Sequence, residues 1–390
     1  MNKPIYLDNA ATTPIRPEVL QAMMPYLTDE AFGNPSSMHQ FGRAAQAGVD
    51  TARRQIAEAF GTEPGDVIFT SGGTEADNLA IIGGALASHR RGGPFRVAVG
   101  QADHKAVLAA AEAVEQAGGE ALYLPVDSNC LLRADAVQEA LASKLAVFSM
   151  MWVNNEIGVI QDVRAVAEQC AATGAVFHTD AVQAVGKVPC RIDDFPCTLL
   201  SISGHKIGAP KGVGALLVRD RTVVDALIHG GGQQFGIRPG TENVAGIVAL
   251  GQAVRLAVRE QETTHQTLGA LRDDFERRMR ETFPDAKILA ADADRAPHIS
   301  NLSLPGIDSQ ALLMQCDMAG VALSAGSACN TGAAEPSHVH EAMGLPTDVA
   351  TGAVRFSFYK QNTPQDVNRV MEILPGIVEK VKKLAEVLAR

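Results

Sequence analysis

The chain is poor in the features that mark several large classes of protein. Its 390 residues hold six cysteines, Cys130, Cys170, Cys190, Cys197, Cys316 and Cys329, scattered and with no Cys-x-x-Cys pair. That spacing suits neither a disulfide framework nor a zinc knuckle, and most of these thiols read as small core residues. No eighteen apolar residues run together, and Met1-Asn-Lys-Pro-Ile-Tyr-Leu-Asp-Asn-Ala-Ala has no signal-type apolar stretch. A soluble cytoplasmic protein without a membrane partner is therefore expected. Lysines and arginines form no run, and a net charge of −10 argues against a DNA or other nucleic-acid surface. A P-loop is missing too: Val188 follows Gly186-Lys187, and Ala181 stands where the leading glycine belongs. Gly230-Gly-Gly-Gln-Gln-Phe-Gly236 lacks the spacing of a dinucleotide fingerprint. His338 and His340 with a single nearby cysteine are weak evidence for a metal, and none is expected.

What is present is an ordinary soluble composition, 46% hydrophobic and 20% charged, in a chain long enough for two domains. Phe41, Ala45, Val49, Ala52, Ile56 and Phe60 recur on one helical face. Asp66–Thr70, Arg96–Val99, Ala121–Leu124, Ala146–Met150 and Ala175–His178 read as strands with helices between most of them. Such alternation predicts an α/β fold, a largely parallel sheet covered by helices, with ligands beyond the carboxyl ends of the strands. After about Gly251 the pattern changes. One long charged helix is expected from roughly Val254 to Thr282, then short strands near Ile299–Leu304 and Val354–Phe358. A closing helix follows from Thr363-Pro-Gln-Asp366. The expected division is a large domain over 15–252 and a smaller α+β domain over 1–14 and 253–390.

Several stretches carry chemistry. Leu200-Ser-Ile-Ser-Gly-His-Lys-Ile-Gly-Ala-Pro-Lys-Gly212 places Lys206 after an apolar run, inside a loop of small residues. A desolvated lysine there suits Schiff-base chemistry, with Ser203 and His205 able to hold a phosphate; alone, a solvated loop lysine is the better reading. Gly72-Gly73-Thr74-Glu-Ala76, at a strand-to-helix turn, reads equally as a phosphate seat or a tight capped turn. Asp180 stands at the sheet's carboxyl edge, either as a cap or as the partner of a cationic ring nitrogen, with Gln183 one turn on. His104 opens a helix, where it caps or faces a flat ring. Asn155, in Asn154-Asn-Glu-Ile-Gly158, follows a strand and is placed to orient a polar ligand. Ser324-Ala-Gly-Ser-Ala-Cys329-Asn-Thr-Gly332 surrounds one thiol with small residues, the pattern of an exposed loop or of a tight buried turn.

Together and in this order, these stretches resemble the pyridoxal-phosphate-dependent cysteine desulfurases of the NifS/IscS type, in the class V aminotransferase group. The likeness runs from Tyr6-Leu-Asp-Asn-Ala-Ala-Thr-Thr-Pro14 to Val354-Arg-Phe-Ser357. It implies fold-type I and pyridoxal 5'-phosphate held on Lys206 as a Schiff base. By the same likeness, Asp180 pairs with the ring nitrogen, Gln183 bonds the ring hydroxyl and His104 stacks on the ring. Gly73, Thr74, Ser203 and His205 take the phosphate, joined by Thr241 of a second copy in a homodimer. Asn34, Asn155 and Arg355 hold L-cysteine, the arginine by a bidentate grip on its carboxylate. Cys329, on a mobile loop over about 322–336, takes the sulfur as a persulfide, releasing alanine. The sulfur then passes to an acceptor protein, an iron–sulfur scaffold or a sulfur carrier. A selenocysteine lyase or another class V aminotransferase is the alternative; a non-catalytic scaffold would be expected to have lost Lys206 or Asp180. The chain departs from the family at Phe358-Tyr-Lys360, Pro239, Asp103 and His340. It also ends close behind its last predicted helix, so no C-terminal docking tail is expected.

Overall fold

The computed structural model describes residues 3–325 and 336–388. Its strands are β1 (Ile5–Tyr6), β2 (Val67–Thr70), β3 (Arg96–Gly100), β4 (Glu120–Leu124), β5 (Val147–Met151) and β6 (Val176–Asp180). They continue with β7 (Leu199–Ser203), β8 (Gly214–Val218), β9 (Lys287–Ile288), β10 (Ile299–Ser303), β11 (Val321–Ala322) and β12 (Ala353–Ser357). The main sheet runs β2-β8-β7-β6-β5-β3-β4, and only β8 is antiparallel to its neighbours. Because the other six strands share one direction, Thr70, Gly100, Leu124, Met151, Asp180 and Ser203 all reach the same edge.

The strands are apolar nearly throughout because both faces are covered. Alternate residues divide between two cores. Phe69, Ala98, Phe148, Phe177, Leu200 and Leu217 pack with helices Gln40–Phe60 and Val244–Arg259. Ile68, Val97, Val147, Leu199 and Leu216 face the opposite side, against Leu79, Ile81, Ala85, Val107 and Ala110.

A second core gathers around β10 and β12, which pair antiparallel from Ile299↔Ser357 to Ser303↔Ala353. Phe275, Phe356 and Phe358 pack together within it, tilted and edge-on, with ring centroids 4.6 and 5.8 Å from Phe275. The N-terminal segment joins this unit: β1 pairs with β11, and the Ser357 N–H donates to the Leu7 carbonyl at 2.7 Å. Thr363 and Asp366 cap the closing helix Pro364–Leu388 reciprocally, as the sequence suggests. No helix among the described residues is long and apolar enough to cross a membrane.

Two expectations change. The single helix over 254–282 is two helices, Val244–Arg259 and Gln261–Thr282, with a corner at Glu260. Tertiary contacts fix that corner: the Glu260 carboxylate accepts from Arg16 at 3.0 Å and pairs with Lys360. Helical charge periodicity carries no record of partners so far away. The unusual Phe358-Tyr-Lys360 is accommodated. Phe358 fills the second core, the Tyr359 hydroxyl sits against Thr13, and burial lifts its pKa to about 12.

Phe358→Ala is expected to remove about 3–5 kcal/mol of stability, read as a lower denaturant midpoint in chemical unfolding. A loss below about 1 kcal/mol would contradict this account of the second core.

Candidate functional site

The carboxyl edge of the main sheet opens into a cavity of about 380 Å³. Gly73, Thr74, His104, Asn155, Asp180, Gln183, Ser203, His205, Lys206 and Arg355 all line it. Each arrives for a local reason. Lys206 ends the tight turn Gly204–Lys206 directly after β7. Asp180 is the last residue of β6. His104 is the N-cap of helix Lys105–Gln116, its Nδ1 accepting from Ala106 N–H at 3.1 Å, so the neutral ring carries its proton on Nε2. Capping and cavity-facing roles, alternatives on paper, coexist in one side chain.

Burial governs the protonation of the site. Lys206 is pushed down to about 8, first by desolvation and then by Arg355, against the pull of Asp180 and Asp8. Its amine donates to the carbonyls of Ala10 and Ala11, the latter at 2.9 Å. Desolvation raises Asp180, which His104 and Lys206 partly offset, and one of its oxygens accepts from Val182 N–H at 2.9 Å. His205 is pushed to about 4 by burial and by Lys206, and its Nδ1 meets the Thr12 hydroxyl at 3.1 Å. Arg355 donates to Asp8 at 2.8 Å and to the Asn155 carbonyl at 2.7 Å, and its Nε has no partner.

Some contributors were not legible beforehand. Asp77 lines the cavity with one oxygen unpartnered, and desolvation and Asp180 raise its carboxyl well above the ordinary value. Its place one turn into the helix after Gly73 was the available signal. Asp103, shorter than the usual glutamate, accepts from Gly100 and Met151 N–H at 3.0 and 3.1 Å and ties the ends of β3 and β5. Lys187, 3% exposed, donates to the Lys206 carbonyl at 2.9 Å, and burial and Lys206 hold it near 7.

Asn34 and Thr241 do not line the cavity; both are exposed, and the Asn34 side chain accepts from Ser36 N–H at 2.9 Å. Cys329 lies outside the described residues. The five described cysteines are buried.

The residues fit pyridoxal phosphate. Asp180 is a buried carboxyl lining the cavity and no cationic side chain hydrogen-bonds it among the described residues, so a protonated ring nitrogen would complete its ionised form. At Gly73 an added Cβ would come within 2.9 Å of Val182 and 3.4 Å of Ser203, so glycine keeps the helix start open for a phosphate.

The aminotransferase class-V family model matches residues 5–370. A cysteine desulfurase IscS of Dictyoglomus turgidum is 40% identical over 385 residues, 99% of this chain and 97% of that protein. A solved NifS-like protein superposes with a TM-score of 0.90 at 30% identity, covering 97% of this chain and 100% of its own. SspA in complex with cysteine superposes with a TM-score of 0.79 at 32% identity, over 91% of this chain and 98% of its own.

Only a neutral amine attacks a carbonyl, so capture of pyridoxal phosphate by the cofactor-free protein should accelerate as pH rises through about 8 and level off above it. Stopped-flow absorbance between pH 6 and 10 reads this. A midpoint at the ordinary lysine value would show that the site does not desolvate the amine.

Proposed function

The chain belongs to the class-V aminotransferase family, on its cysteine desulfurase branch, and we propose that this cavity and Cys329 convert L-cysteine to L-alanine. The observation that carries the reading is the convergence, in one cavity, of a Lys206 amine lowered to about 8, the Asp180 carboxyl and the Arg355 guanidinium. Pyridoxal phosphate bound there supplies a carbonyl for amines and a ring that accepts the electron pair released at the substrate α-carbon.

The chain's own groups divide the remaining work. Gly73, Thr74, Ser203 and His205 hold the phosphate, Asp180 keeps the ring nitrogen protonated, Gln183 meets the ring hydroxyl and His104 lies against the ring. Arg355 takes the substrate carboxylate, which replaces part of its present engagement with Asp8 and Asn155, and Asn155 adds a polar contact. Lys206, neutral at mildly alkaline pH, removes the α-proton. The Cys329 thiolate attacks the substrate sulfur: an S–S bond forms and the carbon–sulfur bond breaks. Its electron pair stays on the β-carbon, which takes a proton, and Lys206 returns a proton to the α-carbon, so alanine leaves while Cys329 keeps the sulfur as a persulfide. A cysteine-bound structural relative supports this choice of substrate.

Residues 15–252 form the large domain in this reading, and 1–14 with 253–390 the small one carrying Cys329; separate cores support two units, with Ala253, Val254, Leu256 and Ala257 packed in the larger core. A homodimer completes the phosphate site with Thr241 of a second copy. An exposed apolar stretch with Leu27, Phe32, Phe41 and Met38, the last 91% exposed, supports such an interface. The persulfide passes to an iron–sulfur scaffold or a sulfur-carrier protein.

With L-cysteine and a reductant, the protein should release alanine and sulfide together. Cys329→Ser should cut sulfide release at least a hundredfold while leaving cofactor absorbance intact; retained sulfide release would overturn the assignment. Arg355→Lys replaces a fork by a point charge and should raise KM for cysteine about tenfold or more.

A further inference from the structure

Gln183 is wedged between two groups fixed by the fold. Its Nε2 donates to the Ala10 carbonyl at 2.8 Å, and its Oε1 faces His298 Nε2 at 3.2 Å. A carbonyl only accepts, so Ala10 determines which end of the amide is nitrogen. The amide oxygen also only accepts, so the facing imidazole nitrogen must carry the proton. His298 is 2% exposed, and burial, with Lys187, Arg355, Arg272 and Lys206 around it, holds its pKa well below the ordinary value. The ring is therefore neutral, with its single proton on Nε2, and its buried Nδ1 has no partner. Its sole hydrogen bond goes to Gln183. Gln183 has two N–H donors and two lone pairs on its oxygen; one of each is thus engaged, and the second N–H is the donor left for a ligand in the cavity it lines.

We infer that His298 is a positioning residue: by anchoring the oxygen end of the Gln183 amide while Ala10 anchors its nitrogen, it holds the second N–H toward the ring oxygen of the cofactor. The inference rests on the reading of Gln183 as a cofactor contact. Without the imidazole donor the amide is held only by its bond to the Ala10 carbonyl and can swing about it, carrying the second N–H away from the ring oxygen. A donor to that oxygen stabilises its anionic form, so losing the donor raises the pH at which the bound cofactor gives up its proton.

The test is a spectrophotometric pH titration of the holoenzyme, together with the dissociation constant of pyridoxal phosphate. His298→Phe fills the ring's volume without a donor, and His298→Gln returns an N–H near the place of Nε2. His298→Phe and Gln183→Leu should each raise the absorbance midpoint by about 0.5–1 pH unit and weaken cofactor binding about three- to tenfold. The double variant should add little to either, and His298→Gln should stay within about twofold of the parent. If His298→Phe does not fold, His298→Leu makes the same comparison. An unshifted His298 variant beside a shifted Gln183→Leu overturns the inference and leaves the Gln183 contact standing. If neither shifts, Gln183 itself is not a cofactor contact and both readings fall.

Discussion

Desolvation at the carboxyl edge of a parallel sheet is the constraint on which the site depends. Six strands deliver their last residues to one edge, where the N-terminal segment and Arg355 join the wall of the cavity around Lys206 and Asp180. A lysine in that setting loses much of its affinity for a proton, and a carboxylate gains some. Lys206 and Asp180 move toward each other on the pH scale for the same reason. Arg355, whose charge also repels the Lys206 ammonium, strengthens the first effect.

A short N-terminal segment converts this burial into geometry. Between Leu7 and Thr13 the chain passes from the second core to the cavity. Asn9 donates to the Ser357 carbonyl at 2.8 Å, Asp8 holds Arg355, and Thr13 N–H donates to the His205 carbonyl at 2.9 Å. The Ala10 carbonyl accepts from both Lys206 and Gln183. Seven residues therefore set the relation between the carboxyl edge of the sheet and the strand that bears Arg355. Glu260, bound to Arg16 and Lys360, clamps the same junction from outside.

The site keeps polar atoms whose burial is unfavourable. Asp77 and Arg355 each leave one without a partner, and such a group costs about 1–3 kcal/mol. In the proposed reading, an anionic substrate carboxylate arriving at Arg355 relieves the second. The protein is thus preorganised for its ligands at some expense to the stability of the empty fold, which gives ligand binding a matching stabilising effect.

Local pattern was enough to read much of this from the sequence. Strand–helix alternation, the capped start at Thr363, the turn at Gly73 and the approach of β6 to Asp180 all depend on neighbours a few residues away, and period and capping report those. The sequence pointed to Lys206, His104 and Arg355 by residue type and order, and their roles came through the family likeness. Tertiary structure alone decided the corner at Glu260, the reversed direction of β8, the tautomers of His104 and His298, and the lowered pKa of Lys206. Each arises from segments far apart in the chain: Gln183 is 173 residues from Ala10 and 115 from His298. Periodicity falls silent at such separations, whereas burial and hydrogen bonding act on whatever the fold brings within a few ångströms.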